Sequence, residues 1–274
     1  MHKLKRTILY ILLIFGLATM LTSGYIVGKY YYDIIHSEKI FNDVRDDVES
    51  GDEIREPVVN RDSDRDDHAI RHSKYDKLYE KNKNFVGWIN IPGTSIDYPV
   101  MQTPKDEQYY LHRNFYGEYD FTGTPFANGA SNIAKPSENT IIYAHNMKNG
   151  SMFAGLLKFE SKDYYKKHKI FYFDSIYRSG TYEIIGVVRT DVLSHTYKYY
   201  LTSNCNMEEF YEYLDFIKQH SIYKIDAFDN VEYGDTLVTL STCSYHISNN
   251  KGRLLVIGRL AETDDETMIN SNKE

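Results

Sequence analysis

The sequence Thr236-Leu-Val-Thr-Leu-Ser-Thr-Cys243 has the pattern of a strand, and a second strand pattern, Arg253-Leu-Leu-Val-Ile-Gly-Arg-Leu-Ala261, follows after nine residues. Side chains alternate between the two faces of a strand, so every second residue of the first pattern shares a face with Cys243. A connection of this length allows the second strand to fold back antiparallel beside the first. We therefore expect the Arg253 guanidinium to lie near the Cys243 thiol.

A histidine ends another apolar run, Ile141-Ile-Tyr-Ala-His145. A strand fixes the backbone there and leaves the ring accessible, which suits a proton shuttle. A thiol can act as a nucleophile, an imidazole as a general acid or base, and a fixed cation can stabilise charge on a carbonyl oxygen. Each residue alone is commonplace, but together they are the groups that acyl transfer requires.

Short strand patterns recur along the chain between a few short helical patterns. The sequence 85–101 predicts two strands joined by a turn at Pro92-Gly93. The other predicted strands are 123–128, 139–145, 168–174, 181–189, 235–243 and 253–261, and the predicted helices are 68–84, 106–112, 151–159 and 207–219. Many short strands with few helices between them favour a mainly β, closed or nearly closed sheet over a doubly wound one.

The N-terminal region predicts a single transmembrane helix. Residues 7–28 carry no charge, and as a helix they would span about 33 Å, enough for a hydrocarbon core of about 30 Å. Lys3, Lys5 and Arg6 precede this run, so residues 1–6 are expected in the cytoplasm and the remainder outside the cell. A cleaved signal peptide is the alternative, but the apolar run is longer than usual and no Ala-x-Ala follows it.

Residues 29–67 are expected to form an acidic stalk or linker with a polar, exposed surface, beginning as a continuation of the helix. Twelve acidic and five basic side chains between 37 and 67 account for the whole net charge of -7. The rest of the chain has no basic excess to neutralise phosphates, which argues against nucleic acid as a partner. We expect the globular domain to span 68–261 and a polar tail to span 262–274.

The two cysteines, Cys205 and Cys243, are too few for a disulfide scaffold. One bridge between them is compatible with the sequence and would abolish the proposed nucleophile. His246 forms a Cys-x-x-His with Cys243, but a zinc site built from these two with Cys205 and His195 would lack the usual paired spacing. We therefore interpret Cys205 as a spectator thiol and expect neither a metal nor another cofactor.

Three sequence features together resemble the sortases, the surface transpeptidases of Gram-positive bacteria. They are Thr239-Leu-Ser-Thr-Cys243 with Arg253 ten residues on, Tyr143-Ala-His-Asn146 upstream, and the N-terminal anchor. Class B is the most similar, on Phe85-Val-Gly-Trp-Ile-Asn-Ile-Pro-Gly-Thr-Ser-Ile-Asp-Tyr-Pro-Val100, Tyr110-Leu-His-Arg-Asn-Phe115 and the helix 207–219 between the sixth and seventh strands. The resemblance covers about 67–261 and implies a closed eight-stranded β-barrel with N-terminal helices.

The resemblance implies that Cys243 is the nucleophile, His145 the general acid/base and Arg253 the oxyanion or substrate-positioning group. Arg259 shares the face of Arg253 but lies six residues further along the strand, roughly 20 Å away. The substrate groove that the resemblance implies has five contact residues, Leu111, Thr196, Tyr200, Leu201 and Ser241. Tyr200 could equally be core packing, and Thr196 an ordinary loop hydroxyl.

The implied reaction is a two-step acyl transfer. The enzyme would cleave a surface protein after the Thr of a C-terminal sorting signal, commonly similar to Asn-Pro-x-Thr-x in class B, and transfer it to an amine of a peptidoglycan precursor or cross-bridge. A secreted cysteine peptidase or cell-wall hydrolase is the rival enzyme. Papain-like enzymes place Cys before His, whereas His145 precedes Cys243 by 98 positions. A non-catalytic, membrane-tethered binding module is the rival outside enzymes.

Overall fold

The computed structural model describes residues 2–49, 73–135, 137–193, 195–249 and 251–263. The chain divides into two compact units, 1–40 and 41–274. The predictions for 50–72 and 264–274, including most of the linker and nearly all of the tail, fall outside the described residues.

The described residues of the first unit all lie in helix α1, which spans His2–Glu49 and continues into the second unit. Its most apolar window has a mean hydropathy of 1.9, and the side chains of that window are exposed. By length and composition the helix could cross a membrane, a test that a signal sequence also passes.

The second unit contains a closed barrel of eight strands among its described residues, which confirms the predicted architecture. The strands are β1 Phe85–Asn90, β2 Asp97–Met101, β3 Phe126–Ala127, β4 Asn139–Tyr143, β5 Ile170–Ser175, β6 Gly180–Asp191, β7 Leu237–Cys243 and β8 Gly252–Thr263. Their order around the barrel is β1-β2-β3-β4-β7-β8-β6-β5. The pairs β2–β3 and β4–β7 are parallel, and the other neighbours are antiparallel.

The helices of this unit are short, apart from the one between β6 and β7. The α-helices are α2 Asp76–Lys81, α3 Lys162–Lys167 and α4 Met207–His220, and 3-10 helices span Ser73–Tyr75, Tyr109–His112, Phe153–Glu160, Tyr199–Leu201 and Asp226–Asn230. The α4 helix confirms the prediction for 207–219, and it begins with a capping box between Asn206 and Glu209. The helix predicted for 68–84 extends too far at its C-terminal end. The observed helix α2 ends at Lys81, because Asn82 is already extended and β1 follows.

The barrel wall has apolar side chains on both faces. Leu240 and Val256 belong to the interior cluster, whereas Leu237 and Leu255 belong to a second cluster with α4. Because side chains alternate along β7, Cys243 lies on the outer face, beyond the part of the wall that α4 covers. This placement leaves one end of the outer face open for a site.

The expectation of a polar, exposed stalk is wrong for the end of α1. Phe41 is 3% and Val44 0% exposed. The Phe41 ring contacts that of Tyr98 with 5.2 Å between centroids, and Arg45 Nε donates to the Asp97 carboxylate at 2.6 Å. The apolar face of these turns is therefore part of the barrel domain's core.

Candidate active site

Cys243 is the last residue of β7 and lies directly opposite Arg253 in β8. This is the antiparallel register that the two strand patterns predicted. Both side chains are partly exposed, so a sulfur and a guanidinium share one rim of the barrel. The Arg253 side chain is further anchored by its Nη1, which donates to the Gly252 carbonyl at 2.8 Å.

His145 reaches the same rim because β4 runs parallel to β7. Tyr143, the last residue of β4, pairs with Ser241, so His145 and Cys243 each lie two residues beyond this pair. Asn146 Nδ2 donates to the Cys243 carbonyl at 3.0 Å, which ties the two strand ends together. Asn146 and Cys243, which are 97 positions apart in the sequence, are thus in contact at the same end of a parallel strand pair.

The His145 ring is held by the segment before β3. Its Nε2 lies 2.8 Å from the Leu111 carbonyl oxygen, and its centroid lies 5.2 Å from that of the His112 ring. A carbonyl only accepts, so Nε2 carries the hydrogen and Nδ1 is left to exchange a proton. Burial lowers the pKa of His145, the Leu111 hydrogen bond opposes this, and the nearby His112 lowers the pKa further. The imidazole is therefore mainly neutral at pH 7.

A groove with a volume of about 410 Å³ opens beside the thiol. Cys243 and Arg253 line it, and so do four of the five predicted substrate contacts, Leu111, Tyr200, Leu201 and Ser241. Glu107 and Arg253 are the one acidic and the one basic residue among the described residues of its lining. The remaining lining is neutral and largely apolar, as expected for a site that holds an uncharged peptide segment.

Two predicted site residues are not part of the groove lining, within the described chain. Thr196 donates its hydroxyl to the Asp191 carboxylate. His145 borders the groove through Leu111, which accepts its hydrogen bond.

Tyr199 belongs to the site and was missed by sequence reasoning. Its ring is buried at 1% exposure, and its hydroxyl lies 2.9 Å from Ser241 Oγ. Burial raises the pKa of Tyr199, while hydrogen bonds with Ser241 and Arg253 act in the opposite direction. The adjacent Tyr200, which was predicted, is 38% exposed. The 3-10 turn sends one ring of this Tyr-Tyr pair inward and the other outward, a difference that composition alone does not reveal.

The two cysteines, both among the described residues, are free, which removes the disulfide alternative. Burial raises the pKa of the Cys205 thiol to about 11, so it is inert at neutral pH. Cys243 instead opens into the groove. Arg259 pairs with Leu237, six positions from the Cys243–Arg253 pair, and donates to the Asn230 carbonyl, so it lies away from the site.

Comparison with known proteins identifies the family of this chain. The family model of the sortase domain matches residues 89–261, more than half of the chain. Sortase B of Listeria monocytogenes serovar 1/2a is 34% identical over 244 residues, which cover 89% of this chain and 93% of that protein.

Solved structures show the same barrel. Sortase B from Bacillus anthracis, in complex with AAEK1, has a TM-score of 0.67 and 29% identity, covering 85% of this chain and 99% of that one. A Staphylococcus aureus sortase B–substrate complex has a TM-score of 0.63 and 29% identity, covering 70% of this chain and 86% of that one. The chain therefore belongs to the sortase B family of cysteine transpeptidases.

Proposed function

We propose that this enzyme cleaves a C-terminal sorting signal after its Thr, holds the acyl group as a thioester on Cys243, and transfers it to a cell-wall amine. The observation that carries the proposal is the strand register that sets Arg253 opposite Cys243, with His145 two residues beyond the end of the neighbouring parallel strand. This arrangement supports three roles: Cys243 as nucleophile, His145 as general acid/base, and Arg253 as the cation beside the reacting carbonyl.

In the first half-reaction Nδ1 of His145 takes the proton of the Cys243 thiol, and the resulting thiolate attacks the carbonyl carbon of the Thr residue. The C–N bond breaks, and the imidazolium of His145 protonates the leaving amine. The hydrogen bond from Nε2 to Leu111 supports Nδ1 as the atom that gives this proton. Dividing the displacement into two steps through a thioester lowers the barrier of each.

Arg253 would act while the carbonyl oxygen carries negative charge. Its guanidinium is fixed by the strand pairing and by the hydrogen bond to Gly252, so little reorganisation is needed when the charge develops. A charge-assisted hydrogen bond from a preorganised donor is stronger than one from a mobile donor.

The groove supports binding of an extended peptide next to the sulfur. Leu111, Tyr200, Leu201 and Ser241 are proposed to contact the sorting signal, because all four line the groove with Cys243. Thr196 does not line the groove and its hydroxyl donates to Asp191, so its contact with the peptide stays a prediction. The Staphylococcus aureus relative forms a sortase B–substrate complex, which supports a substrate site in this groove.

The apolar part of α1 is proposed to anchor the enzyme in the membrane, with residues 7–28 spanning it, the N-terminus in the cytoplasm and the barrel outside. Its hydropathy and the basic residues before it support this orientation. The intact mass of the protein from the membrane fraction tests the anchor, because a cleaved signal sequence would remove this segment.

The activity is tested by product identity. The detergent-solubilised full chain is incubated with an Asn-Pro-x-Thr-x peptide, with and without triglycine, and the products are separated by chromatography. Formation of the peptide–triglycine amide is expected. Hydrolysis at the same rate with and without the amine would instead identify a peptidase, and intact peptide would identify a binding module.

A further inference from the structure

Two separate segments of the groove lining are joined by one polar tripeptide. The first segment contains Asn128 and Ala130, which follow β3, and the second is the turn Tyr199–Leu201 between β6 and β7. Thr202-Ser203-Asn204 comes directly after that turn. The first two residues of the tripeptide are only 4% and 1% exposed, so their hydroxyls need hydrogen-bond partners inside the protein. The positions of those partners show what holds the groove lining in place.

The Thr202 hydroxyl is held from β4. Asn139 Nδ2 donates to Thr202 Oγ1 at 2.8 Å, and Thr202 Oγ1 donates to the Tyr199 carbonyl at 2.7 Å. Asn139 Oδ1 accepts from Thr239 Oγ1 at 2.9 Å. Because the Thr239 hydrogen is used in this bond, its oxygen accepts from the Tyr213 hydroxyl, at 2.7 Å. A buried chain of hydrogen bonds, all donated in one direction, therefore runs from α4 to the turn that lines the groove.

The next two residues, Ser203 and Asn204, are tied to the other segment of the lining. Asn128 Nδ2 donates to Ser203 Oγ at 2.6 Å, and Asn204 Nδ2 donates to the Ala130 carbonyl at 2.7 Å. The backbone carbonyl of Asn128 also accepts from Gln102 Nε2 at 2.8 Å, which fixes this segment to the end of β2. The tripeptide therefore connects the two lining segments to each other and to the barrel wall.

We propose that Thr202-Ser203-Asn204 is a latch that sets the shape of the groove, and that Asn128 and Asn139 are its positioning residues. This inference rests on the proposed function. A lining that is already held in its binding geometry loses less conformational entropy when the sorting signal binds, so the latch strengthens peptide binding. Opening the latch leaves the separate hydrogen bond between the Tyr199 hydroxyl and Ser241 Oγ in place. The effect of the latch should therefore fall on binding rather than on the chemical steps.

The test compares variants of Thr202 in the full-length enzyme, with an Asn-Pro-x-Thr-x peptide as substrate. Thr202→Val keeps the shape of the side chain but removes the oxygen between Asn139 and the Tyr199 carbonyl. We expect it to raise the KM about three- to ten-fold, the range that corresponds to one neutral hydrogen bond, with kcat nearly unchanged. Thr202→Ser restores the hydroxyl and should return the KM to near the wild-type value.

Tyr213→Phe is the matched control, because it removes a hydrogen bond at the far end of the same buried chain and leaves Asn139 paired with Thr202. Both Tyr213→Phe and Thr202→Val should lose stability in urea, but only Thr202→Val should raise the KM. Asn204→Ala opens the latch at an exposed position, where the fold is not at risk. By removing the bond to Ala130 it should raise the KM about two- to five-fold.

Hydrogen exchange of the backbone amides gives a readout that does not need turnover. The amides of residues 199–203 should exchange faster in Thr202→Val than in Tyr213→Phe, and equal exchange would overturn the inference. Equal KM values in wild type, Thr202→Val and Asn204→Ala would overturn it too. So would an equal rise of the KM in Thr202→Val and Tyr213→Phe, because the bond would then contribute only to stability. Failure of the wild type to cleave the sorting peptide would instead overturn the proposed function.

Discussion

Replacing Tyr199 by Phe removes one buried hydroxyl and keeps the ring that fills the space behind the groove. That hydroxyl bonds Ser241 Oγ at 2.9 Å, and it lies close enough to the Arg253 guanidinium for Arg253 to lower the pKa of Tyr199. The variant therefore loosens the guanidinium without changing any of the three proposed catalytic groups. Tyr199 is a positioning residue in this account, because it acts through Arg253.

The magnitude follows from the partners. A hydrogen bond to a charged group contributes about 1.5–3 kcal/mol, and one between neutral groups about 0.5–1.5 kcal/mol. Arg253 keeps its hydrogen bond to Gly252, so we take the lower end of the first range for activity. About 1.5 kcal/mol corresponds to a loss of about ten-fold in kcat/KM. The loss should fall on kcat rather than KM, because the carbonyl oxygen carries its charge only in the transition state.

The assay is cleavage of a sorting peptide over a range of concentrations, with urea unfolding measured in parallel. Tyr213→Phe is the matched control, since the Tyr213 hydroxyl bonds Thr239 Oγ1 at 2.7 Å, on the same face of β7 but further from Cys243. Both variants should lose similar stability, and only Tyr199→Phe should lose kcat. Equal activity losses in the two variants, or none in either, would refute the positioning role.

Four further predictions concern charge and packing. The acid limb of the pH profile of kcat/KM should lie below the ordinary histidine pKa of about 6.5. This limb follows the loss of the His145 proton, and burial lowers the pKa of His145. His112→Gln should move that limb to higher pH, since His112 lowers the pKa of His145, and an unmoved limb would contradict the coupling. Arg253→Ala should cost about 2.7–4 kcal/mol of transition-state stabilisation, or about 10²–10³-fold in kcat, and near-normal turnover would exclude an oxyanion role. Phe41→Ala should lower the free energy of unfolding by about 3–5 kcal/mol in a denaturant titration, whereas a loss near zero would mean that the end of α1 does not belong to the domain core.

The strand register at the sulfur could be predicted from sequence because it depends on local patterns. Alternation in β7 and a short connection to β8 are enough to set Cys243 opposite Arg253. The parallel pairing of β4 with β7, which brings His145 to the same rim, is set by packing of the whole barrel and was reachable only through the family resemblance.

The errors arise where tertiary contacts override local pattern. The predicted strand 123–128 is shortened to Phe126–Ala127, and Gly123, its predicted first residue, has φ +63°, outside the extended region of a strand. The stalk was read as solvated from its charge, although Phe41 and Val44 lie on one helical face and pack into the barrel domain.

The central claim is that the Cys243 sulfur carries the acyl group between the two half-reactions. Mass spectrometry of the full-length enzyme, quenched in acid during turnover of an Asn-Pro-x-Thr-x peptide without amine, tests it directly. We expect an adduct with the mass of the acyl fragment on the proteolytic peptide that contains Cys243, and its disappearance when triglycine is added before the quench. An adduct on Cys205, or cleavage that persists in Cys243→Ala, would contradict the account.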